Sequence, residues 1–469
     1  MKKIKLMDIV KAVYAIDYTA ANRDIEIDSV EFDSRKIQDG SLFIPLTGGT
    51  TDGHDYIQQA ISNGATATLW SKDPSLAPTD EIATIFVDDT LEAMQALAKY
   101  YRESLDPIVI GITGSNGKTT TKDMTANVLK AKYHVYKTQG NYNNEIGLPY
   151  TLLQMPEETE VVVCEMGMSD FGEIEALSNI AQPDIAAITL IGESHLEYLK
   201  SRAGIAKAKL EILSGLKESG LFIYPGSEPL ILSEMPDLNK SIDTLSFGFD
   251  ETSDVYAKEL IEEQNKTYFK TNLDENVLCM IPVMGAYNVS NALIALSIAK
   301  SLKVPMEQAI FQLAQFELTA NRLEWLKTKN GAQLLNDAYN ASPTSMSAVL
   351  YAFSKIGLPS SQGRRIAVLG DIRELGPDSE NYHRQLKDDI HPDNIDCVFL
   401  FGDQMQYLYE ELQTRYNDTN LIYEVDNHQK LIENLEKTIQ PEDIILVKSS
   451  FGVDLLKVVS ELTDKEIQA

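Results

Sequence analysis

Through most of the chain, short apolar, β-branched runs alternate with segments whose apolar residues recur every three or four positions. That alternation predicts an α/β architecture with largely parallel sheets. Near the N-terminus the strand-like pieces are residues 41–46, 66–70 and 82–87. A helix follows from Thr90, with Leu91, Met94, Leu97, Ala98 and Tyr101 on one face. Asp106-Pro107 reads as a linker. Beyond it, residues 108–112 form an apolar strand. Further strands are expected at 134–137, 161–164 and 184–190, and a helix from about Ser290 closes this unit near Glu317. Residues 276–299 carry no charge and are long enough to span a bilayer. Pro282, Gly285, Asn288, Ser290 and Asn291 interrupt them, so a strand, a turn and a buried helix are expected instead. A third unit has strands at 333–335, 366–369, 397–401 and 444–447. Its clearest helix start is Ser342 as cap and Pro343 in the first turn, with Met346, Val349, Leu350 and Phe353 as the apolar stripe. The expected domains are therefore 1–104, 105–317 and 318–469, as suits 469 residues at roughly 100–200 per domain.

Charge narrows the partners. Lys and Arg total 41 against 70 Asp and Glu, a net charge of −29. So acidic a chain is repelled by nucleic acid and by anionic lipid, but an anionic small substrate needs only a few local cations. Cys164, Cys279 and Cys397 are far apart and odd in number, which points away from a disulfide framework and toward a reducing cytoplasm. Residues 1–20 carry Lys2, Lys3, Lys5, Asp8, Lys11 and Asp17, so no apolar signal-peptide core is expected there.

The strongest chemical signal is Gly111-Ile-Thr-Gly-Ser-Asn-Gly-Lys-Thr-Thr-Thr-Lys122, between a predicted strand and a predicted helix. Gly114 and Gly117 let the backbone curl so that N–H groups converge on an anion, with Ser115 and Asn116 between them. The helix start adds its partial positive charge. Lys118 can reach terminal phosphates, the Thr119 hydroxyl can ligate Mg²⁺, and Thr120 completes the turn. Ile112 stands where the longer phosphate-loop pattern has its first glycine, so this is the shorter G-x-x-G-K-T-T form.

Other candidates are weaker alone. Glu165 stands at a strand end, either a solvated loop acid or a Mg²⁺ ligand. His195 follows another strand and is either structural or functional. Lys207 and Lys209 read as a solvated helix face with charge pairs. Gly140-Asn-Tyr-Asn-Asn-Glu-Ile-Gly147 is either an asparagine-rich turn or a loop that binds amides and hydroxyls.

Taken in order, several short motifs resemble the Mur ligases, the ATP-dependent amino-acid ligases of peptidoglycan synthesis. The carriers are Asp33-Ser-Arg35, Ser41-Leu-Phe43, Asp52-Gly-His54, residues 114–120, residues 140–148, Glu165-Met-Gly167 and His195-Leu-Glu197. Further on come Asn321-Arg322, Asp337-Ala-Tyr-Asn-Ala-Ser-Pro343 and Gly370-Asp-Ile-Arg-Glu-Leu-Gly376. The resemblance covers essentially the whole chain. It implies a UDP-substrate domain, a central ATP-binding phosphate-loop domain and a C-terminal Rossmann-like domain for the incoming dipeptide. It implies a cytoplasmic monomer serving cell-wall synthesis, cell shape and division, with UDP-N-acetylmuramoyl-tripeptide and D-alanyl-D-alanine as substrates and ATP and Mg²⁺ as cofactors. Ser34 and Arg35 would hold the uridine-diphosphate end, Asn143 and Asn144 the muramoyl peptide, and Asn340 the dipeptide. Thr119 and Glu165 would hold one Mg²⁺; His195 and a carbamylated Lys209 would hold or support a second. Asn288, Asn291, Arg322 and Asp337 would contact the nucleotide. Two departures stand out: Tyr287 replaces the family's usual histidine, and Lys448-Ser-Ser-Phe451 replaces its Lys-Gly-Ser-Arg.

Three rival readings differ in testable ways. A sibling ligase would add a single amino acid, or would polyglutamylate folate; the Asp-Asn-Pro-Arg motif of many third-residue ligases is missing here. A phosphate-loop switch would bind ATP and form no amide. A scaffold would need none of Lys118, Thr119, Glu165 and His195.

Overall fold

The computed structural model describes residues 1–237 and 241–465. It has three α/β domains, each built on a sheet that is parallel except at one edge. The central sheet has nine strands. Ile108–Thr113 lies in it between Val161–Glu165 and Ile185–Ile188, all three parallel. These strands are continuous apolar runs because helices cover both faces, so successive residues enter two different cores. Ile110, Ile112, Val161 and Val163 pack on one side; Val109, Val162, Cys164 and Ala186 pack on the other.

The uncharged stretch resolves into the strand Asp274–Ile281 and the helix Ala286–Ser301, as expected, though the helix starts four residues before Ser290. That helix is buried along most of its length, between the sheet and the helix Lys118–Leu129. Among the described residues no helix is long and apolar enough to cross a membrane. The strands Val255–Glu262 and Thr267–Thr271, with Asp274–Ile281, form an antiparallel edge that periodicity did not predict. In the six-stranded C-terminal sheet, Gln333–Asp337, Ile444–Lys448, Arg365–Gly370 and Cys397–Phe401 lie side by side and parallel. Ser342 caps Pro343–Ser354 as predicted, in a capping box with Ser345.

The N-terminal domain meets the central one along the helices Thr90–Leu105 and Gly147–Leu153. At that seam the buried Glu31 carboxylate accepts a hydrogen bond from the Tyr150 hydroxyl at 2.9 Å. Burial raises the Glu31 pKa above its ordinary value. The folded chain therefore binds this proton more readily than the unfolded chain. Stability falls as pH rises from 4.5 through the raised value, and stays lower above it. Glu31→Gln keeps an acceptor for Tyr150 and removes the buried charge. It is expected to melt above the parent at pH 7.5 and level with it near pH 4, whereas a lower melting temperature at pH 7.5 would contradict this account.

Candidate active site

The strand Ile108–Thr113 runs into a turn at 114–117 and directly into the helix Lys118–Leu129. Gly114 has φ 149° and Gly117 φ 80°. A Cβ at Gly114 would strike the Thr189 hydroxyl, and one at Gly117 would meet Asn291 Oδ1. Only glycine lets the loop close this tightly. Thr189 Oγ1 donates to Asn116 O at 2.5 Å and Gly192 N donates to Ser115 Oγ at 2.9 Å, tying the loop to the segment after Ile185–Ile188. Lys118 Nζ curls back to Gly114 O at 2.8 Å, and burial lowers its pKa. Thr121 Oγ1, Asn291 and Asn288 form a hydrogen-bonded chain that fixes the helix Ala286–Ser301 against the loop helix.

Across the loop stands the C-terminal domain. Asn116 Nδ2 donates to Ser342 Oγ at 2.7 Å, and Glu193 Oε2 accepts from Thr344 Oγ1 at 2.5 Å. The cleft between them is lined by residues 115–120, Tyr287, Asn288 and Asn291 on one side. Arg322, Asp337, Tyr339, Asn340 and Lys448 line the other. Arg322 stacks over the Tyr339 ring at 4.2 Å, and Lys448 ion-pairs with Asp337 at 2.5 Å. The proposed nucleotide contacts other than Gly114 thus line one cleft. Asn340 lies there too, although the resemblance assigns it to the dipeptide.

Glu165 is 2% exposed at the end of its strand. Asn143 Nδ2 donates to Oε1 at 2.8 Å, while the buried Oε2 has no hydrogen-bond partner and faces Lys122 Nζ at 3.8 Å. Lys209 is 1% exposed, which overturns its reading as a solvated helix face; Lys207 alone fits that reading. Burial, then the charge of Lys118, drives the Lys209 pKa well below the usual lysine value. His195 has a left-handed backbone, φ 65°, and its Nδ1 lies 2.5 Å from Glu374 Oε2 of the C-terminal domain. That contact lowers the Glu374 pKa.

In the N-terminal domain, Ser34 and Arg35 line a separate pocket with Phe32, Thr47, Tyr56 and Ile146. Ser34 Oγ donates to Gln59, and Arg35 pairs with Asp33 at 2.8 Å. Asn144 accepts from Gly147 N at 2.9 Å and so acts as a local turn cap.

Residues 26–102 match the Mur ligase family, catalytic domain; 112–299 match the Mur ligase middle domain; 321–451 match the Mur ligase, glutamate ligase domain. The chain is 41% identical to the UDP-N-acetylmuramoyl-tripeptide–D-alanyl-D-alanine ligase of Bacillus subtilis over 96% of both chains. The chain belongs to the Mur ligase family. Among solved Mur ligases, MurF from Acinetobacter baumannii superposes with a TM-score of 0.87 at 29% identity, covering 99% of this chain and 100% of that one. MurF from Thermotoga maritima in complex with ADP gives 0.79 at 28% identity, over 92% and 96%.

Sequence reading missed several members of this Mur ligase site. Glu374, Tyr339 and Lys448 sit within the quoted segments 370–376, 337–343 and 448–451 without an assigned role. Lys122 and Asp123 follow the phosphate loop and are buried, and no sequence pattern marked them.

Proposed function

We propose that this chain is an ATP-dependent ligase that joins UDP-N-acetylmuramoyl-tripeptide to D-alanyl-D-alanine through an acyl phosphate. What supports the reading is the interdomain cleft whose lining joins the phosphate loop to Arg322, Asp337, Asn340 and Lys448. The tripeptide carboxylate is a poor acyl donor because its leaving group would be oxide. It therefore attacks the γ-phosphorus of ATP, giving ADP and an acyl phosphate. The dipeptide amine attacks the acyl carbon, and phosphate departs from the tetrahedral intermediate. Lys118 leaves Gly114 O to meet the charge spread over the transferring phosphoryl group. Closure of the C-terminal domain on Asn116 and Glu193 keeps water from the acyl phosphate.

The donor set fits Mg²⁺ in part. The buried, unpartnered Glu165 Oε2 and the Thr119 hydroxyl suit a hard cation. Among the described residues no group of three or more His, Cys, Asp or Glu stands ready to hold a metal, so phosphate oxygens would complete the shell. With Nδ1 facing Glu374, Nε2 of His195 is the nitrogen left for a second ion. Burial and the charge of Lys118 favour a neutral amine at Lys209, the form that takes up CO₂, and carbamylation would supply the anion such an ion needs. Mg²⁺, once bound, neutralises phosphate charge during transfer. Ser34 and Arg35 serve the uridine-diphosphate end, and Asn143 and Asn144 face the muramoyl peptide. Free, buried Cys164, Cys279 and Cys397 suit a cytoplasmic setting.

Incubation with ATP and both substrates, each omitted in turn, tests the reading. Phosphate release that requires both substrates supports it. Release without them marks an ATPase switch, and release with a single amino acid in place of the dipeptide marks a sibling ligase.

A further inference from the structure

We propose that Arg373 fixes the carboxylate of the incoming dipeptide and thereby sets acceptor specificity. This deepens the ligase reading above and rests on it. A second cleft opens at the carboxyl end of the C-terminal sheet, where open parallel sheets gather ligands. It is lined by Glu197, by Asp371, Arg373 and Glu374 from the loop after Arg365–Gly370, and by Ser379 and Gln404.

Arg373 is the one cation among those residues. Among the described residues its guanidinium makes no ion pair and no hydrogen bond, although three carboxylates share the cleft. The loop holds it in place. Arg373 N donates to Ser450 Oγ at 3.0 Å and Ser450 N donates to Asp371 O at 3.1 Å, stitching the two loops together. The guanidinium then lies over Gly452, where a Cβ would collide with it. Neighbouring cations are engaged elsewhere: Lys448 on Asp337, Arg322 on the Tyr339 ring. Residue 451 on the adjoining loop is an exposed phenylalanine, its ring 5.9 Å from Tyr339 at the border of the nucleotide pocket.

One cation among carboxylates is a charge set for a zwitterion. A guanidinium left open presents a fork to a carboxylate. The next residue, Glu374, touches His195 at 2.5 Å, so the cleft reaches the group proposed to hold the second ion. An extended dipeptide spans roughly 7 Å, short enough to run from Arg373 toward that point. Its carboxylate is held by Arg373 and its amine end lies toward Glu374. Phe451 offers an apolar surface to the methyl groups.

The test compares D-alanyl-D-alanine with its C-terminal carboxamide as acceptors, in the parent enzyme and in Arg373→Ala and Arg373→Lys. The parent is expected to prefer the carboxylate strongly. In Arg373→Ala the KM for D-alanyl-D-alanine should rise about 10- to 100-fold, the loss expected for one charged hydrogen-bonding group. The preference over the amide should collapse, with the KM values for ATP and the UDP substrate unchanged. Arg373→Lys should restore part of the preference. Ligation by Arg373→Ala with the preference intact overturns the proposal while leaving the ligase reading standing. No ligation by the parent with either acceptor overturns the ligase reading, and the proposal with it.

Discussion

Replacing Lys118 with alanine is expected to cut ligation on the order of a thousandfold while leaving the fold in place. In the structure the Lys118 amine makes one hydrogen bond, to the carbonyl of Gly114 in its own loop. Removing it forfeits that one bond, about 1–3 kcal/mol where the buried carbonyl stays unpaired, less than unfolds the domain. The catalytic cost is different in kind. The amine is the loop's only side-chain cation, and it is held in a partly buried cleft where charge is weakly screened. Phosphate-release kinetics with both substrates, beside circular dichroism and a thermal melt, measure the two effects separately. Near-normal turnover in the variant would remove Lys118 from the mechanism.

Asp123→Ala is expected to destabilise the central domain by about 3–5 kcal/mol, the range found when one partner of a buried ion pair is deleted. Asp123 is buried on the phosphate-loop helix itself. It lies 3.5 Å from Lys122 Nζ and 2.6 Å from Lys137 Nζ, and accepts from Thr319 Oγ1 at 2.7 Å. Burial alone would raise its pKa, yet the charges of Lys122 and Lys137 hold it below the ordinary aspartate value. Without it, Lys122, itself buried, is left with Glu165 alone at 3.8 Å. Denaturant unfolding followed by far-ultraviolet circular dichroism should show the loss as a lower midpoint. A midpoint equal to the parent's would mean that Lys122 and Lys137 are solvated after all. Thr319 lies where the C-terminal domain begins to follow the central one, so the variant also unties that junction.

What could be read in advance follows how local its cause is. The phosphate loop was legible because strand, glycine turn, lysine and helix start lie within a dozen residues, and each has one physical reason to be there. The Ser342 cap was legible for the same reason. Lys209 was not, because its exposure depends on a sheet and a helix distant in sequence, and alternating charges on a short helix look the same buried or solvated. The strands at Val255–Glu262 and Thr267–Thr271 escaped because the charged Lys258, Glu259, Glu262 and Lys270 break up their apolar pattern. The helix Ala286–Ser301 began early because Gly285, at φ 96°, ends the preceding turn without any capping side chain. Asn116 and Ser342 are 226 residues apart, and no period along the chain announces that they meet.

The Ser342 hydroxyl has two tasks, accepting the Ser345 amide of its own helix at 3.3 Å and the Asn116 amide of the opposite domain at 2.7 Å. Together with Glu193–Thr344 and His195–Glu374, it makes a polar clasp whose every partner can be exchanged for water at small net loss. Such a clasp can part and reseal with each round, letting spent nucleotide out and fresh nucleotide in, and the helix beneath it keeps its own first turn throughout.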